Sequence, residues 1–490
     1  MNQDFLFQNF ETLQKGVETK ISSISAYSGE VKEGALFVAV QGKEDDGHRY
    51  LKEACQKGAS FLLVQEDSLV PSGFTGTVVR SSNTLKALPL VLNEFYDHIS
   101  KKLFVVGVTG TNGKTTTSYI LDHVFNHCGW PSGVIGTIER RFKNKVWPAS
   151  LTTPDPVELF QRLQDFFDLS AKAVVMEVSS IALDQYRTDG MDFNVGVFTN
   201  LTQDHLDYHL NFESYFSAKK RLFQNMENSD GSHFVSLINR DDTFGQRLFK
   251  ELRGRRYTFG EGSSADFSFE IKFQDIFHTL FTIRSPDDFS EGEIALTGRH
   301  NMYNVIGAVA VAVTAGFSLS DCVASLKNFS GVPGRLEKIT SREHPFQVFV
   351  DYAHTPSALQ QALESLSTCH PSDSSRIITV FGCGGNRDKD KRGEMAQVAA
   401  HLSHRVFLTS DNPRHEDPQD IIDDSLRALS QKDREKFVVE LDRAAAIQKA
   451  IQEAEKGDFL LIAGKGHETV QIIGDKRHPF DDRKVAKSFL

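Results

Sequence analysis

The sequence lacks the features that mark secreted and membrane-bound proteins. Cysteine occurs only five times in 490 residues, at Cys55, Cys128, Cys322, Cys369 and Cys383, with no CxxC pair. This odd, scattered set favours reduced thiols and argues against a disulfide framework or a zinc site. No apolar run approaches the roughly 18–20 residues that span a membrane. The first residues also lack the basic start and apolar stretch of a signal peptide, so we expect a cytoplasmic protein.

An excess of positive charge is missing as well. The chain has 55 Lys and Arg against 65 Asp and Glu, which gives a net charge of −10. This balance argues against nucleic acid or an anionic membrane as the main partner, although a local basic pocket for an anionic substrate stays open. Internal repeats and low-complexity tracts are absent from the sequence. Hydrophobic residues make up 40% and charged residues 24%, which is sufficient for buried cores.

Apolar runs divide the chain into three α/β segments. The first, residues 1–100, has predicted strands at 34–40 and 61–64. In the second, residues 101–332, apolar runs at 103–108, 173–176 and 195–198 alternate with helical patterns, as in a parallel sheet with crossover helices. The third, residues 333–490, has predicted strands at 347–350, 377–381, 405–408 and 459–463. Glycine and proline at 331–335 indicate a hinge or linker.

A glycine-rich loop follows the run at 103–108, and a helical pattern from Ser118 to His127 comes next. The loop comprises Gly110, Thr111, Asn112, Gly113, Lys114, Thr115 and Thr116. A strand, a glycine loop and a helix in this order bind phosphate, because glycines let backbone N–H groups approach the oxygens and the helix N-terminus attracts anions. Lys114 is placed to reach the β- and γ-phosphates of ATP, and Thr115 to bind Mg²⁺. The spacing is a variant, since Val108 stands where the common P-loop has its first glycine.

This loop resembles the phosphate loop of the Mur ligases, the amide-forming enzymes of peptidoglycan precursor synthesis. Folylpolyglutamate synthase has a related loop. Further motifs resemble the Mur ligases in order along nearly the whole chain, and jointly they are highly specific. They are Leu151-Thr152-Thr153-Pro154, Met176-Glu177-Val178-Ser179-Ser180, the stretch from Asn200 to His209, Ala218-Lys219, the stretch from Gly298 to Asn304, Asp351-Tyr352-Ala353-His354-Thr355-Pro356 and Gly464-Lys465-Gly466-His467-Glu468.

The resemblance implies an α/β fold of three domains. Residues 1–100 would form a uridine-binding α/β module, residues 101–332 a central P-loop ATPase-type parallel sheet, and residues 333–490 a Rossmann-like domain for the incoming amino acid. The implied reaction activates a carboxylate with ATP as an acyl phosphate, which an amine then attacks. Within the family, the motifs are similar to the member that adds meso-diaminopimelate to UDP-N-acetylmuramoyl-L-alanyl-D-glutamate (the UDP-dipeptide). We expect a monomer with these small-molecule substrates, no nucleic-acid partner and no membrane insertion.

The resemblance also implies a Mg²⁺ site. Glu177 ends a predicted strand, the usual position for a site residue in an open α/β sheet, and it matches a family Mg²⁺ ligand. His205 matches a second ligand of that ion. Thr115 would hold another Mg²⁺, and Thr137 is a further candidate.

Lys219 matches a lysine that CO₂ carbamylates in this family. The N6-carboxylysine is an anion able to bind Mg²⁺. The register Ala218-Lys219, with Leu222-Phe223 after it, favours Lys219 over Lys220. The expected catalytic residues are Lys114, Glu177, His205 and the carbamylated Lys219.

For the UDP-dipeptide, the resemblance implies contacts in two segments. In the first segment they are Ser28, Lys43, Glu44 and Asp45. In the second they are Thr152, Thr153, Ser179, Gln185 and Arg187, whose hydroxyl, amide and guanidinium groups suit a sugar, a peptide and an anion. The chain departs from the family at Tyr27-Ser28-Gly29, where Asp-Ser-Arg is usual, and at Leu151, which is polar in some relatives.

For the incoming amino acid, Asp411-Asn412-Pro413-Arg414 resembles the signature of the diaminopimelate-adding enzymes. An arginine there can clamp the distal carboxylate of diaminopimelate, and left unpaired it would reject lysine. Arg387, Gly464 and Glu468 complete the implied site, with Arg387 suited to a carboxylate and Glu468 to the distal ammonium. The implied ATP contacts outside the loop are Asn301, Asn304, Arg335, Asp351 and His354.

Three other readings stay open. An L-lysine-adding Mur ligase is opposed by the Asp411 to Arg414 signature. A folate-type ligase is opposed by the long N-terminal segment. A P-loop switch or motor, from a different class of protein, would couple ATP to movement and would lack an amino-acid pocket.

Overall fold

The computed structural model describes residues 6–8, 10–17, 19–42, 45–65, 70–228, 233–369 and 375–490. Its first sheet has the order β1-β5-β4-β3-β2. Strands β2 to β5 are parallel, and β1 is antiparallel at one edge. The bounds are β1 Glu11–Gln14, β2 Ile24–Ser25, β3 Ala35–Val38, β4 Ala59–Val64 and β5 Thr77–Arg80, with helices α1 Leu51–Gln56 and α2 Thr84–Phe95 and short 3₁₀ turns at Ser28–Glu30, Gly47–Tyr50 and Ile99–Lys102.

The second sheet has eleven strands in the order β16-β15-β14-β13-β12-β11-β6-β10-β7-β8-β9. Its strands are β6 Phe104–Thr109, β7 Ser132–Ile135, β8 Glu139–Phe142, β9 Lys145–Pro148, β10 Ala173–Glu177, β11 Val195–Phe198, β12 Val235–Asn239, β13 Arg256–Glu261, β14 Phe267–Gln274, β15 Thr279–Arg284 and β16 Phe289–Ile294. Its helices are α3 Lys114–His127, α4 Pro156–Asp168, α5 Ser180–Asp184, α6 Leu206–His209, α7 Phe212–Asn228, α8 Thr243–Glu251, α9 Arg299–Thr314 and α10 Leu319–Ser325, with a 3₁₀ turn at Leu326–Asn328.

The predicted parallel sheet is therefore only the middle of this larger sheet. Strands β14, β13, β12, β11, β6, β10 and β7 are parallel, while hairpins extend both edges. The hairpin strands alternate or carry charge, as β9 does with Lys145, so they lack the continuous apolar runs that predicted the buried strands.

The third sheet has the order β17-β18-β22-β19-β20-β21, with β17 antiparallel at its edge and the rest parallel. Its strands are β17 Glu337–Lys338, β18 Gln347–Asp351, β19 Ile377–Phe381, β20 Arg405–Leu408, β21 Phe437–Val439 and β22 Phe459–Ala463, followed by the hairpin β23 Val470–Ile473 and β24 Lys476–Pro479. Its helices are α11 Pro356–Thr368, α12 Asp390–Leu402, α13 Pro418–Arg427, α14 Gln431–Arg434, α15 Arg443–Glu453 and α16 Asp482–Phe489.

These three sheets confirm the predicted α/β class. The domain boundaries at 100 and 332 fall between the sheets and stay predictions. In the described part of the chain, no helix is long and apolar enough to cross a membrane.

One expected helix is wrong at its beginning. The helix after the phosphate loop begins at Lys114, not Ser118, directly after Gly113, whose φ is +87°. Three successive β-branched threonines, 115 to 117, hid its first turn, since they disfavour helix intrinsically. The helix forms there nonetheless, because α3 packs against α9 and this burial outweighs the low helix propensity of the threonines.

A buried ion pair fixes the end of the chain to the third sheet. Arg443 donates to both carboxylate oxygens of Asp482 at 2.8 and 2.7 Å, and both side chains are 0% exposed. The same guanidinium donates to the carbonyl of Ala463, at the end of β22, at 2.9 Å.

Asp482→Ala should leave a buried guanidinium without its counter-charge. We expect a loss of about 3–5 kcal/mol in the free energy of unfolding, measured by urea denaturation followed by circular dichroism. Lys327→Ala, which breaks an exposed pair with Glu293, is the control and should leave the unfolding midpoint unchanged. Equal effects of the two variants would contradict this assignment.

Candidate functional site

The loop between β6 and α3 is built on two glycines in the left-handed half of backbone space. Gly110 has φ +150°, and a Cβ there would lie 1.9 Å from Thr199 Oγ1. Gly113 has φ +87°, and a Cβ there would lie 2.3 Å from Asn304 Oδ1. Close packing from two sides therefore excludes any larger residue at these positions.

The neighbouring strand braces the same loop. After β11, Asn200 accepts from the N–H of Thr111 through its carbonyl and from the N–H of Asn112 through Oδ1, both at 2.9 Å. Thr199 donates its hydroxyl to the carbonyl of Asn112 at 2.6 Å. The loop is thus held in one conformation by protein contacts alone.

The Lys114 ammonium folds back over this loop. It donates to the carbonyls of Gly110 at 2.9 Å and Thr111 at 2.8 Å. Desolvation lowers the pKa of Lys114, and the charge of Arg335 adds to that, while Glu177 and Asp204 oppose it. The cation therefore lies beside the loop, where it can meet a phosphate.

Glu177 lies at the carboxyl end of β10 and is fully buried. Its Oε2 accepts from the hydroxyls of Thr115 and Thr137, each at 2.9 Å, and its Oε1 accepts from the N–H of Thr137 at 2.9 Å. Thr137 also donates to Thr152 Oγ1 at 3.1 Å. Three oxygen-bearing side chains therefore converge where the sequence predicted a metal site.

Lys219, on α7, is 1% exposed. Its ammonium donates to the carbonyl of Gly110 at 2.8 Å and lies 4.5 Å from the centre of the Tyr215 ring. Burial lowers the pKa of Lys219 well below its usual value, and the charge of Lys114 lowers it further. Burial therefore favours the neutral, nucleophilic amine of Lys219 over its charged form.

His205 precedes α6 with a left-handed φ of +53°. Its side chain is 43% exposed, with Nε2 at 3.5 Å from Asp204 Oδ2. Among the described residues, no three His, Cys, Asp or Glu side chains are close enough to form a metal site by themselves. The grouping of His205 with Glu177 on one ion therefore stays a prediction.

A cleft of about 700 Å³ lies between the second and third sheets. It brings together most of the predicted phosphate, ATP and metal residues. Those that line it are Thr111, Asn112, Gly113, Lys114, Thr115, Thr116, Thr137, Glu177, His205, Asn301, Asn304, Arg335, Asp351 and His354.

Arg335 joins the two sides of this cleft. It donates to Thr115 Oγ1 at 3.2 Å and lies 4.6 Å from the centre of the Tyr352 ring. At the end of β18, Asp351 accepts from the N–H groups of Leu336 at 2.6 Å and Ala353 at 2.7 Å. Desolvation raises the pKa of Asp351 despite the nearby Arg335.

His354 and the two asparagines are oriented by neighbours. His354 Nδ1 bonds the carbonyl of Tyr352 at 2.8 Å. Asn301 donates to the carbonyl of Thr297 at 2.7 Å and accepts from Asn304 at 3.2 Å. Asn304 thereby turns its Oδ1 toward Gly113.

The predicted UDP-dipeptide residues of the second sheet form a network that is continuous with the Glu177 site, since Thr152 lines the cleft and bonds Thr137. Thr153 donates to the carbonyl of Glu177 at 2.8 Å, and Ser179 caps α5. Arg187 donates to the carbonyl of Thr153 at 2.8 Å and to Gln185 Oε1 at 2.6 Å. The carboxylate or phosphate expected to pair with Arg187 is not supplied by the described residues, whose acceptors for it are a carbonyl and an amide oxygen. Desolvation lowers the pKa of Arg187.

In the first sheet, Ser28 is buried and donates its hydroxyl to Glu53 at 2.9 Å. Asp45 accepts from the Tyr50 hydroxyl at 2.9 Å. Lys43 and Glu44 lie outside the described residues.

The predicted amino-acid residues meet at the carboxyl edge of the third sheet. Asn412 donates to Glu468 Oε2 at 2.9 Å, and Lys465 donates to the same oxygen at 2.9 Å. Gly464 has φ +112°, and a Cβ there would lie 2.7 Å from Asp411 Oδ2. Pro413 is buried beside Arg414, which donates to the carbonyl of Gly385 at 2.7 Å.

Arg387 is exposed and donates to the carbonyl of Asn386 at 3.4 Å. Desolvation and the charge of Arg387 lower the pKa of Arg414. The described residues place no carboxylate within ion-pair distance of either guanidinium.

Sequence reasoning gave no role to Asn200, Tyr352 or Lys465. All three lie inside quoted motifs. Each follows the carboxyl end of a buried strand, β11, β18 or β22, and that position is the signal that could have identified them.

A braced glycine loop, an adjacent lysine and a buried carboxylate in a cleft between sheets define a nucleotide-phosphate-binding α/β protein. Comparison with known families agrees. The Mur ligase family, catalytic domain, matches residues 20–94; the Mur ligase middle domain matches residues 108–312; and the Mur ligase, glutamate ligase domain matches residues 334–466. The chain belongs to the Mur ligase family.

Two relatives and two solved structures are similar along most of the chain. The UDP-N-acetylmuramoyl-L-alanyl-D-glutamate–2,6-diaminopimelate ligases of Bacillus cereus and Aquifex aeolicus are 39% and 40% identical, over 96% of this chain and 94% of each relative. A solved structure of such a ligase has a TM-score of 0.67 and 30% identity, covering 96% of this chain and 95% of its own. Thermotoga maritima MurF in complex with ADP has a TM-score of 0.65 and 19% identity, covering 95% and 96%, and shows the shared fold.

Gly113→Ala tests the packing of the phosphate loop. The added methyl would meet Asn304 Oδ1, so we expect a rise of at least about tenfold in the dissociation constant of ADP, measured by calorimetry. Gly129→Ala is the matched control, because Gly129 also has a positive φ, +79°, but open space around it. Similar affinity in both variants would show that the contact with Asn304 does not shape the site.

Proposed function

We propose that this protein is an ATP-dependent ligase that adds meso-diaminopimelate to the UDP-dipeptide, in peptidoglycan precursor synthesis. The observation that carries the proposal is full-length similarity to relatives named for that reaction, together with a phosphate loop that faces a cleft between the second and third sheets. We further propose a cytoplasmic monomer.

The reaction has two steps. A carboxylate oxygen of the D-glutamyl group attacks the γ-phosphorus of ATP, so that a P–O bond forms and ADP leaves. The amine of diaminopimelate then attacks the acyl carbon, loses a proton, and phosphate leaves as the amide forms. Both anions of the first step need positive charge beside them, and Lys114 with the loop N–H groups supplies it from this chain.

The residues around Glu177 fit a magnesium ion. Mg²⁺ takes oxygen ligands, and the Glu177 carboxylate shares its position with the Thr115 and Thr137 hydroxyls. Glu177, His205 and a carbamylated Lys219 would hold one ion, and Thr115 another. When bound, Mg²⁺ neutralises charge on the phosphates.

Carbamylation of Lys219 is supported by its surroundings. A neutral amine attacks CO₂ and loses a proton, which forms an N–C bond and leaves an anionic carbamate. Burial and the charge of Lys114 favour the neutral amine. The carbamate would turn a cation beside Lys114 into its counter-charge.

Recognition of the two other substrates would rest first on Arg187, Arg387 and Arg414, for which the described residues supply no carboxylate within ion-pair distance. Arg187, with Thr152, Thr153, Ser179 and Gln185, would hold the UDP-dipeptide. Ser28, Lys43, Glu44 and Asp45 would meet its uridine end. Arg387 and Arg414 would bind a carboxylate of diaminopimelate, and Glu468 with Asp411 its distal ammonium.

Amino-acid preference tests the proposal. Phosphate release is measured with ATP and the UDP-dipeptide, adding either meso-diaminopimelate or L-lysine. We expect kcat/KM for diaminopimelate to exceed that for lysine by about 10³ or more, since lysine lacks the carboxylate that the arginines require. Release that ignores both the UDP-dipeptide and the amino acid would indicate a switch or motor, while preference for lysine would overturn only the amino-acid assignment.

Lys219→Ala tests the carbamate. We expect activity to fall at least about a hundredfold, because the anion beside the phosphates is lost, and to recover in part when a short carboxylic acid is added. Intact-mass measurement under CO₂ should show the carbamate on the wild type. Lys220→Ala is the control, because the Lys220 side chain pairs with Glu251 at 2.8 Å instead. A fully active Lys219→Ala variant would refute the role.

A further inference from the structure

Two loops of the third sheet are joined along their length. The Arg387 loop (residues 384–387) follows β19, and the Arg414 loop (residues 411–416) follows the neighbouring strand β20. The N–H of Gly385 donates to the carbonyl of Asn412 at 3.0 Å, and the N–H of His415 donates to Asn386 Oδ1 at 3.1 Å. A Cβ on Gly385 would lie 1.9 Å from the carbonyl oxygen of Pro413. The two loops therefore pack as one unit.

A buried arginine supports this unit from below. Arg392, on α12, is 0% exposed and donates to Glu416 Oε2 and to Asp424 Oδ2, each at 2.9 Å. The other oxygen of Glu416 accepts from the N–H of Asn386 in a short hydrogen bond. One carboxylate thus ties the end of the Arg414 loop to both the Arg387 loop and the fixed guanidinium.

The unit carries two guanidinium groups, and among the described residues no carboxylate lies within ion-pair distance of either one. Arg387 and Arg414 donate to main-chain carbonyls. Both side chains lie beside Gly384, where a Cβ would be 3.0 Å from Arg414 Nη1 and 3.8 Å from Arg387 Cγ. Desolvation and the charge of Arg387 lower the pKa of Arg414. Like charges separate unless the backbone holds them. The backbone of the Arg387 loop is held, in part, by Glu416.

We propose that Glu416 is a positioning residue for recognition of the incoming amino acid. By fixing the Arg387 loop against the Arg414 loop, it sets the spacing of the two guanidiniums and so selects an amino acid with a second carboxylate. Glu416 itself does not touch the substrate. The inference rests on the proposed function and adds the residue that shapes the specificity of that site.

Glu416→Gln removes the negative charge and one of the two acceptor oxygens of this side chain with little change in its shape. A glutamine has one acceptor oxygen, so it can serve the N–H of Asn386 or the Arg392 guanidinium but not both. We expect KM for meso-diaminopimelate to rise about tenfold, and the preference over lysine to fall by a similar factor. KM for ATP and for the UDP-dipeptide should stay within about twofold, and kcat within about threefold.

Asp424→Asn is the matched control. Asp424 pairs with the same guanidinium but makes its other ion pair with Arg427, away from both loops. Both variants should lower the melting temperature, while only Glu416→Gln should change the constants for diaminopimelate. Where Glu416→Gln does not fold, Asn386→Gly removes the side-chain bond to His415 at a residue whose φ, +52°, suits glycine, and it should raise the same KM.

The kinetic constants distinguish failure of the Glu416 role from failure of the proposed function. An unchanged KM for diaminopimelate in Glu416→Gln, an equal rise in all three KM values, or the same change in Asp424→Asn would overturn the positioning role. The wild type is measured in parallel. If it releases no phosphate with diaminopimelate, the proposed function fails and this inference fails with it, whereas an active wild type with an unaffected variant defeats the inference alone.

Discussion

The carboxylate of Glu177 is the interaction on which the rest of the site depends. A buried carboxylate is tolerated only where donors surround it, and here the donors come from the first turn of α3 and from the segment after β7. Arg335, from the far side of the cleft, donates to one of those same hydroxyls. Hydrogen bonds at Glu177 and Thr115 thereby connect the phosphate loop, the central sheet and the third segment.

The same structural arrangement recurs around Glu177. Site residues follow the carboxyl ends of parallel strands, where the chain turns from sheet to helix or loop. Glycines at 110 and 464 let one such loop approach the next, because each meets a polar side-chain atom of the neighbouring loop where a Cβ would stand. Gly113 in the same way lets the phosphate loop approach Asn304 on α9. Neighbouring loops are then bonded to one another. Such loops hold polar groups in place before any ligand arrives.

The sequence predicted the buried strands closely, and for a physical reason. Strands β11, β19, β20 and β22 have the predicted bounds, since continuous apolar runs arise where both faces of a strand are covered. The edge hairpins escaped prediction because their strands are partly exposed and carry polar or charged residues instead of continuous apolar runs. The first turn of α3 escaped prediction because its stability comes from packing against α9, which is distant in sequence. Likewise the motifs located the site residues, but the pairing of Asn304 with Gly113, or of Asn200 with Asn112, depends on tertiary contacts that no local pattern contains.

The folded-back ammonium of Lys114 has a consequence for how nucleotide is received. Its two hydrogen bonds are to carbonyls of its own loop, so the side chain is already ordered. A phosphate would exchange those neutral acceptors for charged oxygens, which form stronger bonds. The conformational entropy of the loop and its lysine is lost during folding and not at the encounter with nucleotide. The binding site for the phosphates is therefore already formed before nucleotide binds.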